Sequence, residues 1–236
     1  MSPQRGPVLP YKIVAGVMPV RRKWLVASAK MAGSTFAPEE VKLYDTFREM
    51  VDQHPGFSAI VVGAPVGYRD HVNDPPRRAE AAAKKLLGRR AVTIRRAPTR
   101  ETIDRGVVVA NDHMDAVTAS MLPVIREVAS EMSSYRQRVV YEGSPELSFY
   151  FLNGLAPLRW SKMREEGRRE RRELLESKIP GVDRIIDTHI RGVGEQHLLD
   201  AAALLNTARR VQSRAAKRIP SNPEWDSEGI RMEYVY

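Results

Sequence analysis

Ala59-Ile60-Val61-Val62 is a continuous apolar run that ends in Gly63-Ala64-Pro65-Val66-Gly67. A run this short, with no polar residue at alternate positions, predicts a strand covered on both faces. Such a strand needs a sheet with further layers above and below it, and the loop that follows is a natural place for function.

The flanking sequence supplies those layers. Tyr11 to Val17 and Lys23 to Ala29 are β-rich and read as an antiparallel pair, with Pro19 interrupting the chain between them. Glu40 to Tyr44 alternates with Val41 and Leu43 on one face, and Asp45 is placed to cap a helix carrying Phe47, Met50 and Val51. Pro75 and Pro76 open a helix over 77–87 that Gly88 closes, and Ala91 to Ile94 reads as a further short strand. Asn111 or Asp112 caps a long apolar stripe from Met114 to Met132, kinked at Pro123. Arg138 to Glu142 is a strand, Pro145 starts a helix through Asn153, Gln196 to Val211 is a buried helix, and Ile230 to Tyr236 alternates as a closing strand. The order predicts one α/β domain over 11–236 with a mixed sheet, after a tail at 1–10; residues 97–137 are a candidate helical insertion that most simply packs on the sheet.

A chain of 236 residues with 42% hydrophobic and 28% charged residues can build its core without disulfides or structural metal. It has no cysteine, which excludes thiolate zinc sites, cysteine nucleophiles and thiol redox chemistry. No signal-like or membrane-spanning apolar run occurs, so the expectation is a cytoplasmic protein without a membrane partner. Lysine and arginine number 38 against 29 acids, a charge balance suited to phosphate-bearing partners. Two basic runs carry it. One spans Lys84, Lys85, Arg89, Arg90, Arg95, Arg96 and Arg100; the other holds Lys162, Arg168, Arg169, Arg171 and Arg172 on a charge-dominated helix over 162–178. Tyr68 and Trp160 are candidates for base stacking.

A metal-dependent phosphodiesterase needs carboxylates converging from separate elements, because hard divalent cations take oxygen ligands. Glu142 ends one strand, Glu146 lies four residues on, and Asp200 stands among Leu199, Ala201 and Ala202, where a lone carboxylate needs a partner. Gly192-Val193-Gly194 lacks the third glycine of a dinucleotide fingerprint, no Walker loop or zincin pair occurs, and His113 with Asp115 reads as helix capping rather than metal binding. Ser144 and Ser161 lie in no nucleophile elbow.

Five ordered motifs carry a resemblance: Gly63-Ala64-Pro65-Val66-Gly67-Tyr68; Tyr141 to Phe149, with Glu142 and Glu146; Ser161 to Arg171; Leu199-Asp200-Ala201-Ala202-Ala203; and Gly229 to Glu233. Across nearly the whole chain the sequence resembles the predicted ribonuclease H-like nuclease family called domain of unknown function 429. The resemblance implies a ribonuclease H-like fold, a mixed β-sheet flanked by helices, and a divalent-metal nuclease activity. It also implies Glu142, Glu146 and Asp200 as metal ligands, with Glu142 and Asp200 as the catalytic pair.

Departures from the family pattern change the functional expectation. Met18 stands where the family's first strand carries an Asp, and Gly63 where the central strand does. A thioether and a hydrogen cannot replace hard oxygen ligands. Asp70 near the same strand end is the nearest compensating acid. The sequence thus predicts a degenerate nuclease-family protein with a weakened or lost metal site. Its retained binding would be to nucleic acid or a protein partner, with Lys162, Arg168, Arg169, Arg171 and Arg172 as phosphate contacts. The alternative is an active nuclease using magnesium or manganese on Glu142, Glu146 and Asp200.

Overall fold

Five strands form the central sheet in the order β3-β2-β1-β4-β5. The computed structural model describes residues 10–108 and 114–236; the expected tail, the caps Asn111 and Asp112, and His113 fall outside the described residues apart from Pro10. Strands β1 (Lys12–Val20), β2 (Lys23–Ala32) and β3 (Thr35–Tyr44) make an antiparallel meander, while β4 (Ala59–Val62) and β5 (Val140–Glu142) run parallel to β1. Pro19, expected to end its strand early, stays inside β1. The parallel pairing with β4 stops at Val17, so the N–H missing at Pro19 breaks no bond on that side.

The apolar run at β4 is buried on both faces. Ala59 and Val61 join one core and Ile60 and Val62 the other, so alternate residues of one strand serve two separate layers. Helix α1 (Phe47–Val51) covers the second face with Phe47 and Met50. Its cap is Thr46 rather than Asp45: the Thr46 side chain accepts from Glu49 N–H and the Glu49 carboxylate accepts from Thr46 N–H, a reciprocal box that Asp45 is one residue too early to make.

Helix α2 (Arg78–Leu87) ends at Gly88 and passes into a 3₁₀ turn, Gly88–Thr93. The strand expected at 91–94 is therefore absent. Val92 is exposed and only Ile94 reaches a core, so the segment has no sheet edge to join. After α3 (Arg100–Arg105), the long helix expected from Met114 to Met132 is instead two pieces, α4 (Ala116–Ser120) and α5 (Leu122–Glu131). Pro123 in the first turn of α5 has no N–H to extend an earlier turn, and the helix restarts there. Val124 and Val128 of α5, with Met132 beyond it, pack on the sheet beside Val17 and Trp24, as expected of that segment.

The first face is covered by α6 (Pro145–Leu152), α7 (Glu165–Lys178), α8 (Asp183–Ile186) and α9 (Glu195–Gln212). The Leu and Ala pattern of α9 buries Leu198 through Ala208 against β1. Approach is so close that a Cβ on Gly16 would overlap the α9 backbone at Leu205 N and Ala201 O. A separate two-stranded sheet pairs β6 (Arg218–Trp225) with β7 (Arg231–Val235). Val235 also bridges to Gly143, bringing the hairpin to the end of β5.

Candidate functional site

β1, β4 and β5 run parallel, and their C-terminal ends lie together at one edge of the sheet, where open α/β sheets characteristically place ligands. Glu142 closes β5 and Glu146 follows in the first turn of α6, while Asp200 lies on α9; all three are buried. Each carboxylate is held by a cation supplied by the chain itself.

Glu142 receives a forked pair of bonds from Arg77, Nη2 to Oε1 at 2.7 Å and Nη1 to Oε2 at 2.9 Å, and a backbone bond from Val66 N–H at 2.9 Å. Arg77 also donates through Nε to Glu80 at 2.6 Å and through Nη1 to the Gly67 carbonyl at 2.7 Å. Arg77, Glu80 and Glu142 have 2–3% side-chain exposure, so these charges compensate one another almost without water. Burial works against the guanidinium charge, but Glu142 and then Glu80 outweigh it, and Arg77 stays firmly protonated. Burial also lifts the Glu142 carboxyl above its ordinary range, against the pull of Arg77. Tyr68 and Tyr234 are both raised, by burial and then by the Glu142 charge, so both phenols keep their protons.

Arg171 donates from Nη2 to both oxygens of Glu146 at 3.0 Å, and Arg90 Nε donates to Oε1 at 2.8 Å. Lys162 Nζ donates to Asp200 in a short ion pair. Burial raises the Asp200 carboxyl, with Lys162 pulling the other way. Glu80, Glu142, Glu146 and Asp200 thus face Arg77, Arg90, Lys162 and Arg171, four acids balanced by four bases.

This donor set does not fit a divalent ion. A hard cation needs several unclaimed carboxylate oxygens and a site of net negative charge, whereas here every acid is already ion-paired. Among the described residues no group of three or more His, Asp or Glu side chains is placed to hold a metal. Met18 and Gly63 stand at the ends of β1 and β4, and a Cβ on Gly63 would lie 2.5 Å from the Met18 sulfur. Asp70 lies apart, accepting from Ser227 Oγ at 2.6 Å and facing Arg100.

The basic residues fall into two groups. Arg171 was expected at a phosphate-contacting surface and is instead fully buried, because its guanidinium is spent on Glu146 and on the Trp160 and Gly167 carbonyls. Arg168 pairs with Glu195, and Arg172 with Asp187, Glu195 and Glu176. Arg169 is exposed and makes no ion pair among the described residues, as do Lys84, Lys85 and Arg89. Glu146 joins the two basic runs, since Arg90 belongs to one and Arg171 to the other. Tyr68 is buried with its hydroxyl on the Pro65 carbonyl, which removes it from base stacking. Trp160 is half-buried under Arg159.

Arg77 and Glu80 are the site residues that sequence reasoning missed. Their signals were faint: an acid inside an alanine-rich helix, and an arginine three residues before it just after Pro75-Pro76.

A meander followed by two parallel strands in the order 3-2-1-4-5 is the strand order of a ribonuclease H-like fold. A family model described as "Protein of unknown function (DUF429)" matches residues 16–225. The chain belongs to this family. Among solved structures it is similar to T. thermophilus RuvC in complex with Holliday junction substrate, at 16% identity over 87% of this chain and 98% of that one, with a TM-score of 0.34. No curated protein matches. No helix among the described residues is long and apolar enough to cross a membrane.

Proposed function

We infer that this DUF429 protein is a non-catalytic, nucleic-acid-binding member of the ribonuclease H-like class. One observation carries the reading: Arg77, Arg171 and Lys162 occupy the acids Glu142, Glu146 and Asp200, through which a metal would have to work. Displacing Arg77 or Arg171 strands a buried cation and a buried carboxylate together, and displacing Lys162 leaves Asp200 buried without its counter-charge, each at a cost of several kcal/mol. Met18 and Gly63 add no oxygen ligand at the neighbouring strand ends.

Binding then falls to cations that no acid among the described residues has claimed. Lys84, Lys85 and Arg89 lie on and just beyond α2, and Arg169 lies on α7; Glu146 links the two segments. Exposed lysine and arginine contact phosphate oxygens and release counterions, giving an affinity that falls with salt.

The test has two arms. Manganese titrated into the protein and followed by electron paramagnetic resonance is expected to stay free at millimolar concentration, and single- or double-stranded DNA and RNA are expected to remain intact with magnesium or manganese. Cleavage that Asp200→Asn abolishes would overturn the reading in favour of an active nuclease. In the second arm, a fluorescent oligonucleotide is titrated at increasing salt. The expected slope of log K against log salt falls by about 2 to 4 when Lys84, Lys85, Arg89 and Arg169 are changed to Ala. No binding at low salt refutes the nucleic-acid assignment.

A further inference from the structure

Met18 and Gly63 border a cleft of about 320 Å³ at the C-terminal edge of β1, β4 and β5. Its volume is at the lower end of the range for small-molecule sites, roughly 300–1,000 Å³. The walls are mainly apolar: Met18, Ala64, Ile94, and Met121 with Ile125 come from four different segments. Three polar groups on the same walls make no bond to another side chain among the described residues. Ser144 is the N-cap residue of the eight-residue α6, is 9% exposed, and makes no side-chain capping bond. Arg96 makes no ion pair among the described residues, and its Nη2 donates to the Asp74 carbonyl at 3.2 Å. The hydroxyl of Thr118, a lining residue that is 4% exposed, lacks a hydrogen-bond partner among the described residues.

A buried hydroxyl without a partner loses the hydrogen bond that water would give it, so Thr118 on this cleft needs a reason. The other charges on the walls are already matched: Glu142 by Arg77, Lys162 by Asp200, and Arg95 by Asp115. Arg96 is left as the unmatched charge, and it is positive. We propose that this cleft binds a small organic anion with an apolar body: the body lies against Met18, Ile94, Met121 and Ile125, Arg96 supplies the counter-charge, and the Ser144 and Thr118 hydroxyls supply hydrogen bonds. The assignment rests on the reading that no metal works at this strand edge, because a metal there would draw the anion to itself.

Isothermal titration calorimetry of the full chain with 2-naphthoate, and with its neutral counterpart 2-naphthamide, tests it. One naphthoate per chain is expected, in EDTA as well as in magnesium, with the amide weaker by about tenfold or more, the worth of one charge-assisted bond. Arg96→Gln should lose the preference for the acid over the amide and Arg96→Lys should keep most of it. Ser144→Ala should weaken the acid at an unchanged midpoint of thermal unfolding. Absence of heat with both compounds at millimolar concentration overturns the proposal, as does an acid preference that survives Arg96→Gln. Binding that requires magnesium and vanishes in EDTA overturns the metal-free reading instead.

Discussion

Replacing Arg77 with Met removes the cation from the most enclosed part of the site while keeping a side chain of similar length. Four bonds disappear: two to Glu142, one to Glu80 and one to the Gly67 carbonyl. Glu142 keeps the Val66 N–H, and Glu80 keeps a long bond from Ala97 N–H at 3.3 Å. Breaking a buried pair by removing one partner costs about 3–5 kcal/mol, and two carboxylates 2–3% exposed lose their counter-charge together, so the expected loss lies near the top of that range, about 4–5 kcal/mol. With a urea slope of about 3 kcal/mol/M, the unfolding midpoint falls by about 1.3–1.7 M. Trp24 is fully buried and its fluorescence reports the transition. Adding Glu80→Gln and Glu142→Gln to Arg77→Met removes the stranded charges and is expected to recover at least half of the loss. A midpoint shift below about 0.3 M for the single variant, or a triple variant less stable than the single one, refutes the argument that these acids are ionised and held by Arg77.

Other predictions follow from close contacts and titration. Gly16→Ala drives a methyl into the α9 backbone, and a rigid backbone clash of this kind is expected to cost about 3 kcal/mol or more, read as loss of soluble folded protein or a lowered urea midpoint. Gly63→Ala meets the flexible Met18 side chain, so its cost, about 1–2 kcal/mol, should largely vanish in a Met18→Ala background; equal costs in both backgrounds would show that the two positions are uncoupled. His197 Nδ1 accepts the Gly194 N–H at 3.2 Å, and burial holds its pKa below the usual 6.5. The unfolded chain therefore takes up this proton first, and the stability His197 contributes is present above about pH 6.5 and lost as pH falls through it. Thermal midpoints between about pH 7.5 and 5.5 should fall more steeply for the parent than for His197→Asn, and parallel slopes would remove the assignment.

The parts of this molecule that reveal themselves in sequence are those built from local apolar pattern. Ala59 to Val62 and the Leu and Ala positions of α9 can be read directly, because one face or both must be apolar for the element to bury. The β6 strand could not be read in this way. Arg218–Trp225 contains Pro220 and Pro223, is largely exposed, and exists as a strand only by pairing with β7. Ala91 to Ile94 misled for the opposite reason, since β-apt residues stand there without a sheet edge to receive them. At the site, the acids were legible and their partners were not. Arg77 lies 65 residues from Glu142, Lys162 38 from Asp200 and Arg171 25 from Glu146, and only the fold brings these charges together. The same separation explains why a helix rich in basic residues suggested a phosphate surface while Arg171 was turned inward to Glu146.

The balance of four acids and four bases also bears on where this lineage can travel. An aspartate introduced at position 63 meets Met18, and the loss of Arg77 strands Glu80 and Glu142. Each single step toward an ion-binding cage passes through a destabilised intermediate, although several steps taken together need not. On the metal-free reading proposed above, the arrangement works as an evolutionary ratchet: selection on stability alone is enough to keep the site closed to metal. Change is then channelled to the cleft walls and the exposed lysines, where substitutions meet no such barrier.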